Sequence, residues 1–314
     1  MPPRGRSSFP YGRVLLLLWT FLLLLPGALS EIECPLRSCT CTDTANLSRT
    51  PLVTVVSGFW QIPNKYDSTG KIYHSFFNNS LRLNAPMVLF YGSSDSLSTL
   101  QEFRRGLPTC FVLFPIADLE HSFRRITQYS GPLDGKVGGY PAQLWLIWNS
   151  KVLLLFLAEK KNPFKTNFFA WMDAGINAFR NVSPPAEPWP AATKHAQLPT
   201  NSLIHSTVAA DWASCFAGTA FIAHRLVLKR IAYLYYHKLM TECASDTLAA
   251  ACRDDQAVFA SLVQEQPRLF FSISRWHNHS APVTARSCPV HCGWSCAITL
   301  LFKKRFECSD ANLC

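Results

Sequence analysis

Phe168-Phe169-Ala170-Trp171-Met172 is a continuous apolar run that ends at an acid, Asp173, and the next two residues, Ala174 and Gly175, carry almost no side chain. Such a run reads as a buried strand. An acid leaving its carboxyl end, followed by small residues, offers a carboxylate beside backbone that a ligand can approach closely. That carboxylate could hold a divalent ion bridging a pyrophosphate, or accept hydrogen bonds from a ribose. The same residue could instead only cap or turn the chain where the strand ends. Asp254-Asp255 is a second acidic feature, at a helix start. Adjacent residues there point in different directions, so paired acid–base catalysis is not expected. Asp254 reads as the helix cap and Asp255 as a ligand candidate. Ser57, Ser130 and the scattered histidines form no Gly-x-Ser-x-Gly arrangement, which disfavours a serine hydrolase.

These residues need a scaffold, and the chain outlines one. Residues 52–58, 87–92 and 110–115 are short apolar, largely β-branched or aromatic runs closed by glycine or proline, and read as strands. Residues 140–160 are too long for one strand and read as a helix, with Pro141 at its first position and Lys160-Lys161 at its negative end. After the 168–172 strand, residues 176–210 are rich in proline and alanine and read as a long loop. A glycine-interrupted strand at 215–222, helices at 225–243 and 255–265, and a strand at 268–273 follow. Strands alternating with helices predict an α/β fold with a mainly parallel sheet covered on both faces. Ligands bind such sheets beyond the strand carboxyl ends, where Gly58, Gly92 and Asp173 all fall.

The chain has 314 residues, 48% hydrophobic and 16% charged, enough apolar material for one large domain. Arg4, Arg6 and Arg13 precede the apolar stretch Val14 to Leu25, and Pro26-Gly27 and Ala28-Leu29-Ser30 follow it. This predicts a signal peptide or short signal anchor over 1–30. All 12 cysteines lie after residue 30, and sequons occur at Asn46, Asn78, Asn181 and Asn278, as suits a translocated chain. The expected location is the secretory pathway lumen (Golgi or ER) or the exterior, with membrane contact only if the leader stays uncleaved. Residues 31–50 read as a cysteine-containing stem or disulfide-tied arm, 51–275 as the main domain, and 276–314 as a cysteine-rich tail. In that tail Cys288, Cys292 and Cys296 with His291 could hold zinc, but disulfides suit an oxidising lumen better. Trp276, Phe302 and Phe306 are expected to cover that crosslinked unit. The net charge of +10 comes in short clusters such as Arg104-Arg105 and Arg124-Arg125. No long basic stripe predicts a nucleic-acid partner; the clusters are ordinary solvated faces or a positive surface for anionic ligands.

Asn162-Pro163-Phe164 with Phe168 to Ile176, preceded by Tyr140, Trp148 and Lys151 and followed by Phe216-Ala217-Gly218-Thr219 and Asp255-Gln256-Ala257-Val258…Pro267-Arg268-Leu269-Phe270, resembles the HtrL/YibB (WlaTC) family of putative glycosyltransferases. The resemblance covers residues 51–275 and implies a GT-A-like fold, a nucleotide-sugar donor and a glycan or lipid acceptor. It implies that Asp173 replaces the metal- and ribose-binding Asp-x-Asp motif, with Ala174 and Gly175 beside the cofactor, and that Gly218 lies near the transferred sugar. Asp255 and Gln256 would hydrogen-bond sugar hydroxyls, and Lys151 would meet a phosphate or pack structurally. Position 175 is glycine, so the second carboxylate is missing and a divalent cation (Mn or Mg) becomes an open question. His277 or His279 could complete a metal site, or serve only at the surface. The competing expectation is a secreted binding module that keeps the fold without catalysis.

Overall fold

The computed structural model describes residues 39–43, 51–62, 72–127, 133, 135–137, 140–206, 216–243, 254–273 and 296–303. All belong to the unit Cys34–Cys314. The 1–30 leader, Cys34, the sequons at Asn46 and Asn278, His277, His279, and Cys288, His291, Cys292, Cys308 and Cys314 of the tail lie outside the described residues.

The strands are β1 (Thr40–Thr42), β2 (Val53–Phe59), β3 (Met87–Tyr91), β4 (Thr109–Leu113), β5 (Lys136–Val137), β6 (Tyr140–Pro141), β7 (Phe168–Met172), β8 (Leu203–His205), β9 (Ala220–His224) and β10 (Phe270–Ser272). The helices are α1 (Ile72–Ser80), α2 (Leu97–Phe103), α3 (Ile116–Thr127), α4 (Ala142–Lys161), α5 (Ala192–His195), α6 (Arg225–Cys243), α7 (Asp255–Glu265) and α8 (Cys296–Thr299). Eight strands form one mixed sheet in the order β1-β4-β3-β2-β7-β9-β8-β10. β4, β3, β2 and β7 are parallel, β9 is antiparallel to both β7 and β8, and β1 is antiparallel to β4. The α/β class is as expected, with a mostly parallel sheet flanked by helices. Among the described residues no helix is long and apolar enough to cross a membrane.

The central parallel strands follow directly from their composition. Every residue of β3 and β7 is buried, so continuous apolar runs rather than alternating ones were required. α4 obeys the same logic as a helix: residues Asn149 through Ala158 are all buried, because the sheet lies on one side and α3 and α6 cover the others. Pro141 stands one residue before the helix, at its cap, rather than at the first helical position. Asn162 ends the helix in the left-handed conformation, and its side-chain amide bonds both main-chain groups of Thr166.

Three expectations are corrected. Residues 176–210 are not one loop: they hold a 3-10 turn (Asn177–Phe179), α5 and β8, and bury Phe179, Trp189, Leu203 and Ile204. A three-residue strand is too short to show a period. The strand expected at 215–222 begins only at Ala220, because Phe216 leaves the ladder to stack on Phe259 at 4.2 Å. Phe302 does not cover a separate tail unit. It lies in the main core against Phe179, while Trp189 Nε1 donates to Ile298 O at 3.0 Å.

β1 adds to the sheet edge within the arm expected at 31–50, and the Cys41–Cys110 disulfide ties it to β4. Arg104 is no surface charge: it is 1% exposed and donates to the carbonyls of Leu81, Leu83, Ala85 and Pro108 and to Thr109 Oγ1. Burial lowers its pKa to about 9, which leaves it charged at neutral pH.

Candidate functional site

β7 sits between β2 and β9 and delivers Asp173 to the open end of the sheet. The main chain of Asp173 makes the turn, accepting from Ile176 N at 3.0 Å and donating to Thr219 O at 2.8 Å. The carboxylate is therefore not spent on capping. Its Oδ1 accepts from Trp171 Nε1 at 2.6 Å and lies 3.1 Å from Lys151 Nζ.

Lys151 comes from the buried middle of α4 and is 2% exposed. Its ammonium is 3.3 Å from Asp173 Oδ2, 3.0 Å from Asp255 Oδ2, and donates to Gly218 O at 2.8 Å. Hydroxyls hold the surrounding helix in place. Tyr235 OH donates to Asn149 Oδ1 at 2.7 Å, and Tyr236 OH accepts from Leu153 N at 2.9 Å.

Asp255 is 3% exposed at the first position of α7, behind Asp254, whose side chain caps the helix by accepting from Ala257 N. Its Oδ2 lies 3.0 Å from the Lys151 ammonium, an ion pair closed inside the protein. A Cβ on Gly218 would come within 2.4 Å of that oxygen, so only glycine lets this turn lie on the carboxylate.

Burial pushes the Asp255 carboxyl up to about 6, against the lowering effect of Lys151. Burial also pulls the Lys151 ammonium down, but Asp173 and Asp255 together outweigh it and hold it above its ordinary value. A carboxyl whose folded pKa is raised is stabilised by protonation, and that contribution is lost as pH rises through the folded pKa. Relative to Asp255→Asn, the wild type should gain about 1 kcal/mol of stability as pH falls from about 7 to about 5. Urea unfolding at the two pH values reads this directly, and a gain of the opposite sign contradicts it.

Lys151, Asp173, Ala174 and Gly175 line a cavity of about 120 Å³, together with Arg180 and Thr219. Its other wall is apolar, made by Phe59, Trp60, Ile62, Phe77, Leu144, Ile147 and Trp148. Trp60 fixes that wall: its Nε1 donates to Phe114 O at 2.8 Å and its indole crosses the ends of β2 and β3. A Cβ on Gly58 would lie 2.3 Å from the indole, and one on Gly92 2.5 Å. Both strand-end glycines thus serve the tryptophan. Gly92→Ala should cost about 1–3 kcal/mol by overpacking, measured by urea denaturation, and a change under about 0.5 kcal/mol contradicts the packing account.

The residues singled out in the sequence fall in two layers. Asp173, Ala174, Gly175 and Lys151 reach the cavity, whereas Gly218 and Asp255 lie behind Lys151 and support it. Gln256 is half-buried on α7 and is not among the cavity-lining residues. Arg180 was missed, since nothing in its Pro- and Ala-rich surroundings marks it. A larger groove of about 630 Å³ lies where β2, β3 and β4 begin, lined by Pro51, Pro86 and Pro108, and contains none of these residues.

Among the described residues, the donor set does not suit a divalent cation. Such ions take several oxygen ligands, but Gly175 stands where a second carboxylate would help, and Lys151 Nζ occupies the point on which Asp173 and Asp255 converge. Among the described residues, the one group of three His, Cys, Asp or Glu close enough to share an ion is Cys39, Cys41 and Cys110, and two of those form the disulfide.

No protein-family model matches the sequence, and no curated protein matches it. The HtrL/YibB resemblance therefore stands on the quoted residues alone. Among solved structures, the chain is similar to a mannosyltransferase, PcManGT from Pyrobaculum calidifontis, in complex with GDP-Man and Mn2+, at 12% identity and a TM-score of 0.34. The match covers 83% of this chain and 63% of that one, so this chain spans less than two thirds of its length.

Proposed function

We propose that this protein transfers a sugar from a nucleoside-diphosphate donor to a glycan or lipid acceptor in the lumen of the secretory pathway. One observation carries the reading: a buried lysine holds the Asp173 carboxylate at the end of the central strand, in a cavity also lined by Phe59, Trp60, Phe77 and Trp148. A nucleoside-diphosphate sugar has matching chemistry, with a flat ring system, hydroxyl-rich rings and an anionic linker. The volume of about 120 Å³ holds one end of such a molecule rather than all of it.

Asp173 accepts hydrogen bonds from the hydroxyls of a ribose or of the transferred sugar. Lys151 and Gly218 fix its position, and Asp255 fixes Lys151. Catalysis by such a site lies in positioning and in stabilising charge on the departing diphosphate. The quoted sequence blocks that resemble the HtrL/YibB family support the same reading.

Binding is the first test. A thermal-shift panel of nucleoside-diphosphate sugars, the free nucleosides and the free sugars should show stabilisation by at least one donor beyond that of its parts. No shift with any donor favours a binding module that has kept the fold without catalysis.

A further inference from the structure

We infer that this cavity receives the diphosphate of its donor without a divalent cation, and that Arg180 is the residue that meets it. The inference rests on the donor reading above and adds to it a named anion-binding residue and a metal requirement of zero.

A diphosphate brought beside Asp173 places like charges together, and in a partly buried site that repulsion is costly unless positive charge compensates it. Lys151 is already committed. An ammonium has three N–H donors, and here they face Asp173, Asp255 and the Gly218 carbonyl, all within 3.3 Å. It cannot turn to a phosphate without deserting a buried carboxylate. Its charge instead cancels part of the field of the two acids, so that an anion can approach Asp173 at all. The same ammonium fills the place a metal would need.

Among the described residues, Arg180 is the other cation lining the cavity. It stands half-buried just after the turn Asn177–Phe179, and its Nε donates to Gly175 O at 3.0 Å. Its guanidinium carbon lies 5.1 Å from the centre of the Phe76 ring. The bond to Gly175 O ties the guanidinium to the residue two places after Asp173, and the Phe76 ring lies under it. A guanidinium so held presents a rigid fork of donors that matches phosphate oxygens in pairs, which a lysine does not. The ordering of Arg180 is complete before any ligand arrives.

The experiment uses the full lumenal chain. Calorimetric titration with UDP and with GDP is done in EDTA and in Mn2+, and Mn2+ uptake without nucleotide is followed by electron paramagnetic resonance. Expected are affinities that differ by less than about threefold between EDTA and Mn2+, and no Mn2+ uptake that Asp173→Asn abolishes. Arg180→Gln should weaken diphosphate binding by about 10- to 100-fold, the range of a charge-assisted hydrogen bond. Binding of the uncharged nucleoside and the unfolding midpoint should stay unchanged. Arg180→Lys should restore part of the loss, and serves if the glutamine variant does not fold. Binding that requires Mn2+ overturns the inference and leaves the donor reading intact. Equal weakening of nucleoside and diphosphate by Arg180→Gln overturns the role of Arg180. Failure of both diphosphates to bind under either condition defeats the donor reading and the inference with it.

Discussion

Asp173→Asn should lower the rate of nucleotide release by about 10²–10³-fold, the cost of removing one preorganised polar partner of a reacting group, and should leave the unfolding midpoint within a few degrees of wild type. The two halves of this expectation have separate causes. Asparagine keeps the shape of aspartate and an oxygen for the Trp171 Nε1 donor. Lys151 keeps Asp255 and the Gly218 carbonyl, so the buried ammonium still has a counter-charge. What disappears is the negative charge on the one carboxylate of the trio that reaches the cavity. Steady-state nucleotide release and a thermal melt of the same preparation decide it. Near-normal turnover would remove Asp173 from the mechanism, and a collapsed melt would show that its role is structural.

Lys151→Met acts on the fold instead. Asp255 is 3% exposed and its buried counter-charge is Lys151, so the substitution leaves a carboxylate inside the protein with Asp173 as its neighbour. Breaking a buried pair from one side costs about 3–5 kcal/mol. Removing both charges is far milder, so Lys151→Met with Asp255→Leu should recover more than half of that loss. Asp173, with its side chain 27% exposed, can be hydrated and needs no such relief. Urea unfolding of the two single variants and the double variant measures the coupling. A loss below about 1 kcal/mol for the single lysine variant would mean that the trio is held together by something other than its charges.

The parts of the molecule legible from sequence are those whose pattern is continuous. β3 and β7 are unbroken apolar runs because both their faces are covered, and α7 shows its start because Asp254 caps it. Asp173 stood out for the same reason, as a charge at the end of such a run. Lys151 was visible as a lysine in an apolar helix, yet its choice between phosphate and packing depended on partners 22 and 104 residues away in the chain. No local period carries that information.

The glycines carry a packing role that their spacing does not show. Gly58, Gly92 and Gly218 all lie near the site, and all three are glycine to admit a side chain of this protein: Trp60 in two cases and Asp255 in the third. Arg180 and the short elements of 176–210 were hidden because proline breaks the spacing and each element is too brief to repeat. Arg104 shows the converse, a basic residue that resembled surface charge and is a buried donor to five backbone and side-chain oxygens.

The central claim is that the cavity beside Lys151 and Asp173 handles a nucleoside-diphosphate sugar. The most direct measurement is release of nucleoside diphosphate by the purified protein across a panel of donors. The expected result is saturable release from at least one donor, lowered about 10²–10³-fold by Asp173→Asn. Absence of release from every donor, with and without added Mn2+ and with a range of glycan and lipid acceptors, would contradict it.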